Sequence, residues 1–255
     1  MRKLKNAYLI VSGMLIQIIR SPKSALSFFS ELGYFFKTYR AFKKADTENQ
    51  KFETLPIFFQ RRESTFDRHY VYQAYWASSI IKSNSSTFEY HTDISSNVSY
   101  VVQLAAFVPV QFIEFNPPKL NLDPITLVQG DLLNLPFEDS SVKSISCMHV
   151  LEHIGLGRYG DPIDPLGMQK ACLELTRALA IGGHLLVSFP VGKPKVVFNA
   201  HRVLHPVNIL KYFPGLKLKT FAMVGDTGGL QLDSNPQNAV EMNFACGMYC
   251  FTKEA

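Results

Sequence analysis

Residues 147–167, CMHVLEHIGLGRYGDPIDPLG, gather groups that can move protons and bind polar molecules. His149 and His153 stand four residues apart with Glu152 between them, and imidazole is the side chain that exchanges protons near neutral pH. The loop that follows, GLGRYGDPIDPLG (155–167), adds Arg158, Tyr159, Asp161 and Asp164: a cation, a phenol and two carboxylates in one arc freed by glycines. Loops held on a rigid scaffold carry function out of proportion to their length. Asp161 and Asp164 suit sugar hydroxyls, Asp161 is also a candidate base, and Arg158 suits a phosphate or carboxylate. Further on, VGKPKVVFNAHRVLHP (191–206) contributes Lys193, His201 and Arg202, whose charge favours an anionic ligand. The catalytic candidates are therefore His149, His153 and Asp161. The substrate-binding candidates are Arg158, Tyr159, Asp164, Lys193, His201 and Arg202. Neither histidine-pair spacing fits a familiar metal motif, so no metal site is expected.

The elements that must position these groups follow a strand–helix alternation from residue 87 onward, the pattern of a parallel sheet covered on both faces. FEYHTDI (88–94), PVQFIEF (109–115), ITLVQGD (125–131), VKSISCMHV (142–150) and HLLVSFP (184–190) read as five strands. NVSYVVQLAAF (97–107) and LGMQKACLELTRALA (166–180) read as helices, the second stopped by Gly182 and Gly183. Only NPPKLNLDP separates the second strand from the third, too short for a helical crossover. Two later strands, 216–224 and 241–253, form an antiparallel addition, and YVYQAYWASSIIKS (70–83) is a helix packed ahead of the sheet. The first three strands end on Asp93, Glu114 and Asp131. Ligands of open parallel sheets bind beyond the carboxyl ends of the strands, so these acids and the 147–167 stretch face one crevice.

Over residues 87–253 this order resembles the class I S-adenosylmethionine-dependent methyltransferases. The most specific stretch is GDLLNLPFEDSSVKSISCMHVLEHI (130–154) followed by ELTRALAIGGHLLVSFP (174–190), which is similar to that family's acid, LPF turn, fourth strand, LEHI and Gly-Gly turn. The resemblance implies S-adenosylmethionine as cofactor and S-adenosylhomocysteine as product. It implies that Glu114 receives the ribose hydroxyls, that Asp131, followed by Leu132, stands beside the adenine, and that His149 reaches the same cofactor. In DISSNVS it puts Asp93 at the family's acid and Ser95, Asn97 and Ser99 where the family has three glycines. Side chains there fill part of the space that glycine leaves, so weakened binding is expected. VLEHIGLGRYGDPIDPLG, FPVGKP and FNAHRV are similar to a narrower methyltransferase-like family of unknown function, found among surface-polysaccharide genes. The expected reaction is methyl transfer to a polar acceptor, a saccharide or sugar phosphate. A methyltransferase-like module without catalysis and a different sugar-modifying enzyme on the same fold are the alternatives.

The chain's 255 residues suit one α/β domain with an appendage. The fold expected is a Rossmann-like, seven-stranded, mostly parallel sheet with an antiparallel last strand, spanning residues 49–255, behind a basic helical arm of residues 1–48. Residues 1–44 hold nine Lys or Arg against one acid, Glu31, although the whole chain carries only +5. A basic arm beside a mildly acidic body points to a phospholipid surface or an acidic partner rather than to nucleic acid. AYLIVSGMLIQII (7–19) is too short to span a bilayer, which takes about 20 apolar residues. An interfacial helix with basic ends fits it, as does a helix packed on the body. The four cysteines show no paired metal spacing and read as reduced and packed. A cytoplasmic chain is expected, touching the inner membrane face through its arm and taking a small-molecule or glycan acceptor.

Overall fold

The computed structural model describes residues 22–47 and 66–254. The apolar run 7–19 and the boundary near residue 48 lie outside them. Two compact units divide between Phe66 and Asp67. In the first, α1 (Pro22–Ala45) starts on a proline and ends with Lys43 and Lys44 in its last turn. Both choices suit a helix: proline has no N–H to lose at the first position, and cations complement the C-terminal dipole. Among the described residues no helix is long and apolar enough to cross a membrane.

The second unit opens with α2 (Arg68–Ser83), capped by Asp67, whose Oδ1 accepts the amides of His69 at 3.0 Å and Tyr70 at 3.2 Å. The sheet follows through β1 (His91–Ile94), α3 (Val98–Leu104), β2 (Val110–Glu114), β3 (Ile125–Gln129), β4 (Val142–Met148), α4 (Gly167–Ala178) and β5 (Leu179–Val191). A small hairpin of β6 (Lys195–Val197) and β7 (His201–Val203) precedes β8 (Leu216–Val224), β9 (Leu230–Gln231) and β10 (Ala245–Lys253). The main sheet has eight strands in the order β3-β2-β1-β4-β5-β10-β8-β9. β1 to β5 pair in parallel, and β10 runs antiparallel to both β5 and β8. The last strand is thus antiparallel as expected, but it inserts between β5 and β8; the eighth strand is the two-residue β9. No helix bridges β2 and β3, as the short connection requires.

Alternation along the strands explains the two-sided core. Leu185, Val187 and Phe189 of β5, with Cys147 of β4, pack on the α4 face beside Ala171, Cys172 and Leu175. Leu186 and Met148 point the other way, to Trp76, Ala77 and Ile81 of α2 and Tyr100, Val101 and Leu104 of α3. Side chains of a strand alternate faces, so each strand feeds both layers and must be apolar on both. Cys246 and Cys250 share the α2 side, and all four cysteines are free and buried. The chain order reverses between β1 and β4, which opens the crevice at their carboxyl ends.

Candidate active site

Two cavities meet above those strand ends. The first encloses about 440 Å³, within the range of small-molecule sites, and is lined by Ser95, Glu114, Asp131, Leu132, His149 and Val150 among others. It therefore joins five of the seven residues expected at the cofactor. Glu114 closes β2 and accepts the Asn116 amide at 3.3 Å. Asp131 stands beyond the end of β3, in a turn bridged to Asn134, and accepts the Leu133 amide at 2.9 Å. Gly130 lets that turn approach: a Cβ there would lie 2.6 Å from Cγ2 of Ile113. Ser95 holds a positive φ of 54°, a backbone conformation that glycine ordinarily supplies.

The other two expected cofactor residues are placed elsewhere. Asp93 is fully buried beneath the loop, where its carboxyl accepts the Ser96 amide at 3.1 Å and the Ser146 hydroxyl. His91 spans Ser144 and Ser146, with 2.8 Å from each ring nitrogen to a hydroxyl. Burial pushes Asp93 up to about 7, partly offset by the bonds from Ser146 and Ser96, and burial lowers His91 to about 3. Asp93 thus anchors the loop from below because the β1–β4 pairing turns it inward. Asn97 caps α3, accepting the Ser99 amide at 2.9 Å, and does not line the first cavity.

The second cavity, about 340 Å³, is lined by His69, Tyr70, His149, Arg158, Tyr159 and His201 among others. His149, His153 and Tyr159 line both cavities and form the wall between them. His149 also holds a positive φ, 54°, and its amide donates to the Ser188 carbonyl. Its Nδ1 lies 2.6 Å from Oε1 of the buried Glu152, while the buried Nε2 has no hydrogen-bond partner among the described residues. Burial opposes charge on this ring, but the Glu152 carboxylate outweighs it and raises His149 to about 10. An imidazolium cannot accept a proton, so His149 does not fit the role of general base. His153 does: its Nδ1 donates to the Ala200 carbonyl at 2.6 Å, which leaves Nε2 as the acceptor nitrogen, and burial lowers its pKa.

The 155–167 loop uses its polar groups unequally. Asp161 lines the first cavity, but its oxygens accept the amides of Gly155 at 2.7 Å, Gly157 at 3.3 Å and Tyr159 at 3.2 Å. A carboxylate so occupied braces the loop and is a poor base. Gly155 and Gly157 have φ of 79° and 72°, and a Cβ on Gly155 would lie 1.9 Å from the Asp164 carbonyl oxygen. Arg158 donates to Ala200 at 2.9 Å with its guanidinium 5.2 Å from the Tyr159 ring centroid, and both line the second cavity.

Three expected substrate residues do not line either cavity. Asp164 pairs with Lys170 at 2.7 Å and accepts the Leu166 amide. The buried Arg202 donates to the carbonyls of Glu152 at 3.2 Å and Ile154 at 2.7 Å, pinning the turn after β4. Lys193 pairs with Glu241 at 3.3 Å on the surface. His69 and Tyr70 escaped the sequence reading because their helix read only as packing. Their signal is the capping residue Asp67, which fixes the first turn of α2 at the cavity mouth.

Residues 85–187 match the sequence profile described as a methyltransferase domain, and residues 137–243 match one described as a Caenorhabditis protein of unknown function, DUF268. A search of curated proteins returns no match. Among solved structures, the N-methyltransferase NodS from Bradyrhizobium japonicum, in complex with S-adenosyl-L-homocysteine, is 14% identical with a TM-score of 0.51. That match covers 86% of this chain and 99% of NodS. A chain of the Haloferax volcanii complex between the Trm112 methyltransferase activator and a methyltransferase is 14% identical with a TM-score of 0.50, covering 74% of this chain and 90% of that one. Residues 85–187 are thus similar to a methyltransferase domain, and the chain shares the Rossmann-like fold of the NodS structure.

Proposed function

We propose that the chain transfers a methyl group from S-adenosylmethionine in the first cavity to a polar, anionic acceptor in the second. The observation that carries this is the shared wall: one cavity ends on the carboxylates Glu114 and Asp131, the other is lined by Arg158 and imidazoles, and His149, His153 and Tyr159 belong to both. The first cavity fits the cofactor in kind. Two carboxylates at strand ends suit ribose and adenine donors, apolar Val98, Phe115, Leu132 and Val150 suit a purine, and Ser95 keeps the backbone angles of the glycine it replaces. S-adenosylmethionine supplies an electrophilic methyl on a sulfonium sulfur, so the protein need only align the acceptor and remove a proton. His153 Nε2 takes that proton when the acceptor is a hydroxyl. The imidazolium of His149 and the guanidinium of Arg158 hold negative charge on the acceptor.

A phosphorylated or nucleotide-linked sugar meets these requirements, and a role in surface-polysaccharide assembly follows from that acceptor class. In this reading the basic N-terminal part of the chain, of which α1 is the described portion, rests on the cytoplasmic face of the membrane. In its support, α1 exposes Phe29, Phe36 and Phe42 together with Lys37, Arg40, Lys43 and Lys44, the aromatic and basic mixture of interfacial helices. The acceptor is tested by incubating the full chain with labelled S-adenosylmethionine and paired sugars with and without phosphate. Labelled phosphosugar is expected, with Arg158→Ala raising KM at least tenfold and His153→Gln lowering kcat while KM holds. Equal labelling of neutral sugars would overturn the anionic assignment, and methyl transfer undiminished in His153→Gln would overturn the base.

A further inference from the structure

Three side chains from distant parts of the chain meet beside the second cavity: His69 in the first turn of α2 and His149 after β4, which line it, and the buried Cys246 of β10 behind them. One nitrogen or sulfur atom from each lies within 4.8 Å of the other two. The buried Nε2 of His149, without a hydrogen-bond partner among the described residues, belongs to the ring that contributes to this cluster. Its other nitrogen is already committed, 2.6 Å from Glu152. His69 is tied in the same manner by a backbone hydrogen bond to Phe244. Metal-bound imidazoles have their second nitrogen held by a carboxylate or a backbone group, which fixes tautomer and ring orientation. Cys246 adds a free thiol with no exposed surface.

We infer that His69, His149 and Cys246 form a three-ligand site for a divalent transition-metal ion of the zinc class, with its fourth position open to the second cavity. One thiolate and two imidazoles select zinc or cobalt over magnesium or calcium, which take oxygen ligands. Tetrahedral zinc bonds of about 2.0–2.3 Å put ligand atoms roughly 3.3–3.7 Å apart, so closure by up to about 1.5 Å completes the site. The His69 and His149 rings now stack, 5.3 Å between centroids and 9° between planes, so His69 must turn out of the stack for both nitrogens to face one ion. The thiol of Cys246 and the Nε2–H of the His149 imidazolium each lose a proton to solvent as the metal bonds form, and the bound metal then takes over the positive charge beside Glu152. The open position takes water or an oxygen of a molecule in the cavity. That this molecule is the methyl acceptor rests on the proposed function, whereas the ligand set stands without it. The competing account is metal-free: His149, His69 and Phe244 stack as a column with centroids 5.3 and 5.2 Å apart, and the His149 ring interacts directly with the Cys246 sulfur.

Chelator-treated full-length protein titrated with cobalt(II) separates the two. One equivalent is expected to give a thiolate-to-cobalt charge-transfer band with the strong visible absorption of four-coordinate cobalt, and zinc is expected to displace it. Cys246→Ser should abolish the charge-transfer band, His69→Gln should weaken zinc binding at least 100-fold, and Glu152→Gln should weaken it about 10–100-fold. His201→Gln, outside the ligand set, should bind as the unaltered chain does. A featureless cobalt spectrum, or His69→Gln binding zinc like the unaltered chain, would overturn the site in favour of packing. Fluorescence of Trp76, the only tryptophan, checks that each variant is folded. If Cys246→Ser fails that check, the half-exposed His69 carries the test. S-adenosylhomocysteine binding on the same preparations separates loss of the metal site from failure of the methyl-transfer reading.

Discussion

Replacing Asp93 with Asn probes the buried carboxyl that holds the first loop in place. Asp93 is raised from 3.8 to about 7 chiefly by burial, so its folded-state pKa lies above its unfolded one. A group raised in this way contributes stability that is fully present below pH 3.8 and is lost as pH rises through about 7, because the folded state must then bury a carboxylate. Each unit is worth about 1.4 kcal/mol, so the whole shift amounts to about 4 kcal/mol, and roughly 2 kcal/mol of it falls between pH 5 and pH 7. Asn keeps a carbonyl for the Ser96 amide and offers an N–H to the Ser146 hydroxyl, but it does not titrate. His91 stays neutral in both chains, so its own dependence cancels in the difference. The assay is urea unfolding followed by Trp76, which is 3% exposed and belongs to the same core layer. Relative to wild type, Asp93→Asn should gain about 2 kcal/mol between pH 5 and pH 7, a midpoint difference near 1 M for a slope of about 2 kcal/mol/M. Parallel midpoints across that range would refute the buried, raised carboxyl.

Other substitutions test the loop and its supports. Gly155→Ala places a Cβ against the Asp164 carbonyl at a position with φ of 79° and should cost about 1–3 kcal/mol, read as faster proteolysis within 155–166; Gly160→Ala, which meets nothing within 4 Å, should cost about 1 kcal/mol for its backbone angle alone. Arg202→Met leaves the carbonyls of Glu152 and Ile154 without their guanidinium and should lower stability by about 2–4 kcal/mol in chemical denaturation. Ser95→Gly relieves a left-handed backbone and removes a side chain from the first cavity, so calorimetry should show tighter S-adenosylhomocysteine binding at little change in stability.

The sheet was legible because its pattern is local. Runs such as VKSISCMHV and HLLVSFP are apolar on both faces, and acids mark where strands stop, so β1 to β5 and both covering helices could be read from residue type alone. The position of β10 could not, because insertion between β5 and β8 depends on pairing between segments some 60 residues apart rather than on the strand's own composition. Glu114, Asp131 and His149, singled out by their place at strand ends, all line the first cavity. Asp93 is instead buried beneath the first loop, because parity along a four-residue strand decides which way a side chain points, and the sequence does not say which residue begins the strand. Lys193 and Arg202 looked like ligands for an anion, yet one meets Glu241 and the other two carbonyls. Charge can be read from sequence, whereas the partner that uses it arrives through tertiary structure. For the same reason the cluster of His69, His149 and Cys246 follows no spacing rule.

Calorimetric titration of the full chain with S-adenosylhomocysteine, beside Glu114→Gln, tests most directly whether the first cavity is a cofactor site. One site of micromolar affinity is expected, weakened at least tenfold in Glu114→Gln, whose amide cannot accept two ribose hydroxyls as a carboxylate does. No binding up to millimolar concentration, or equal affinity in the two chains, would contradict the assignment and leave a methyltransferase-like fold that serves as a binding module.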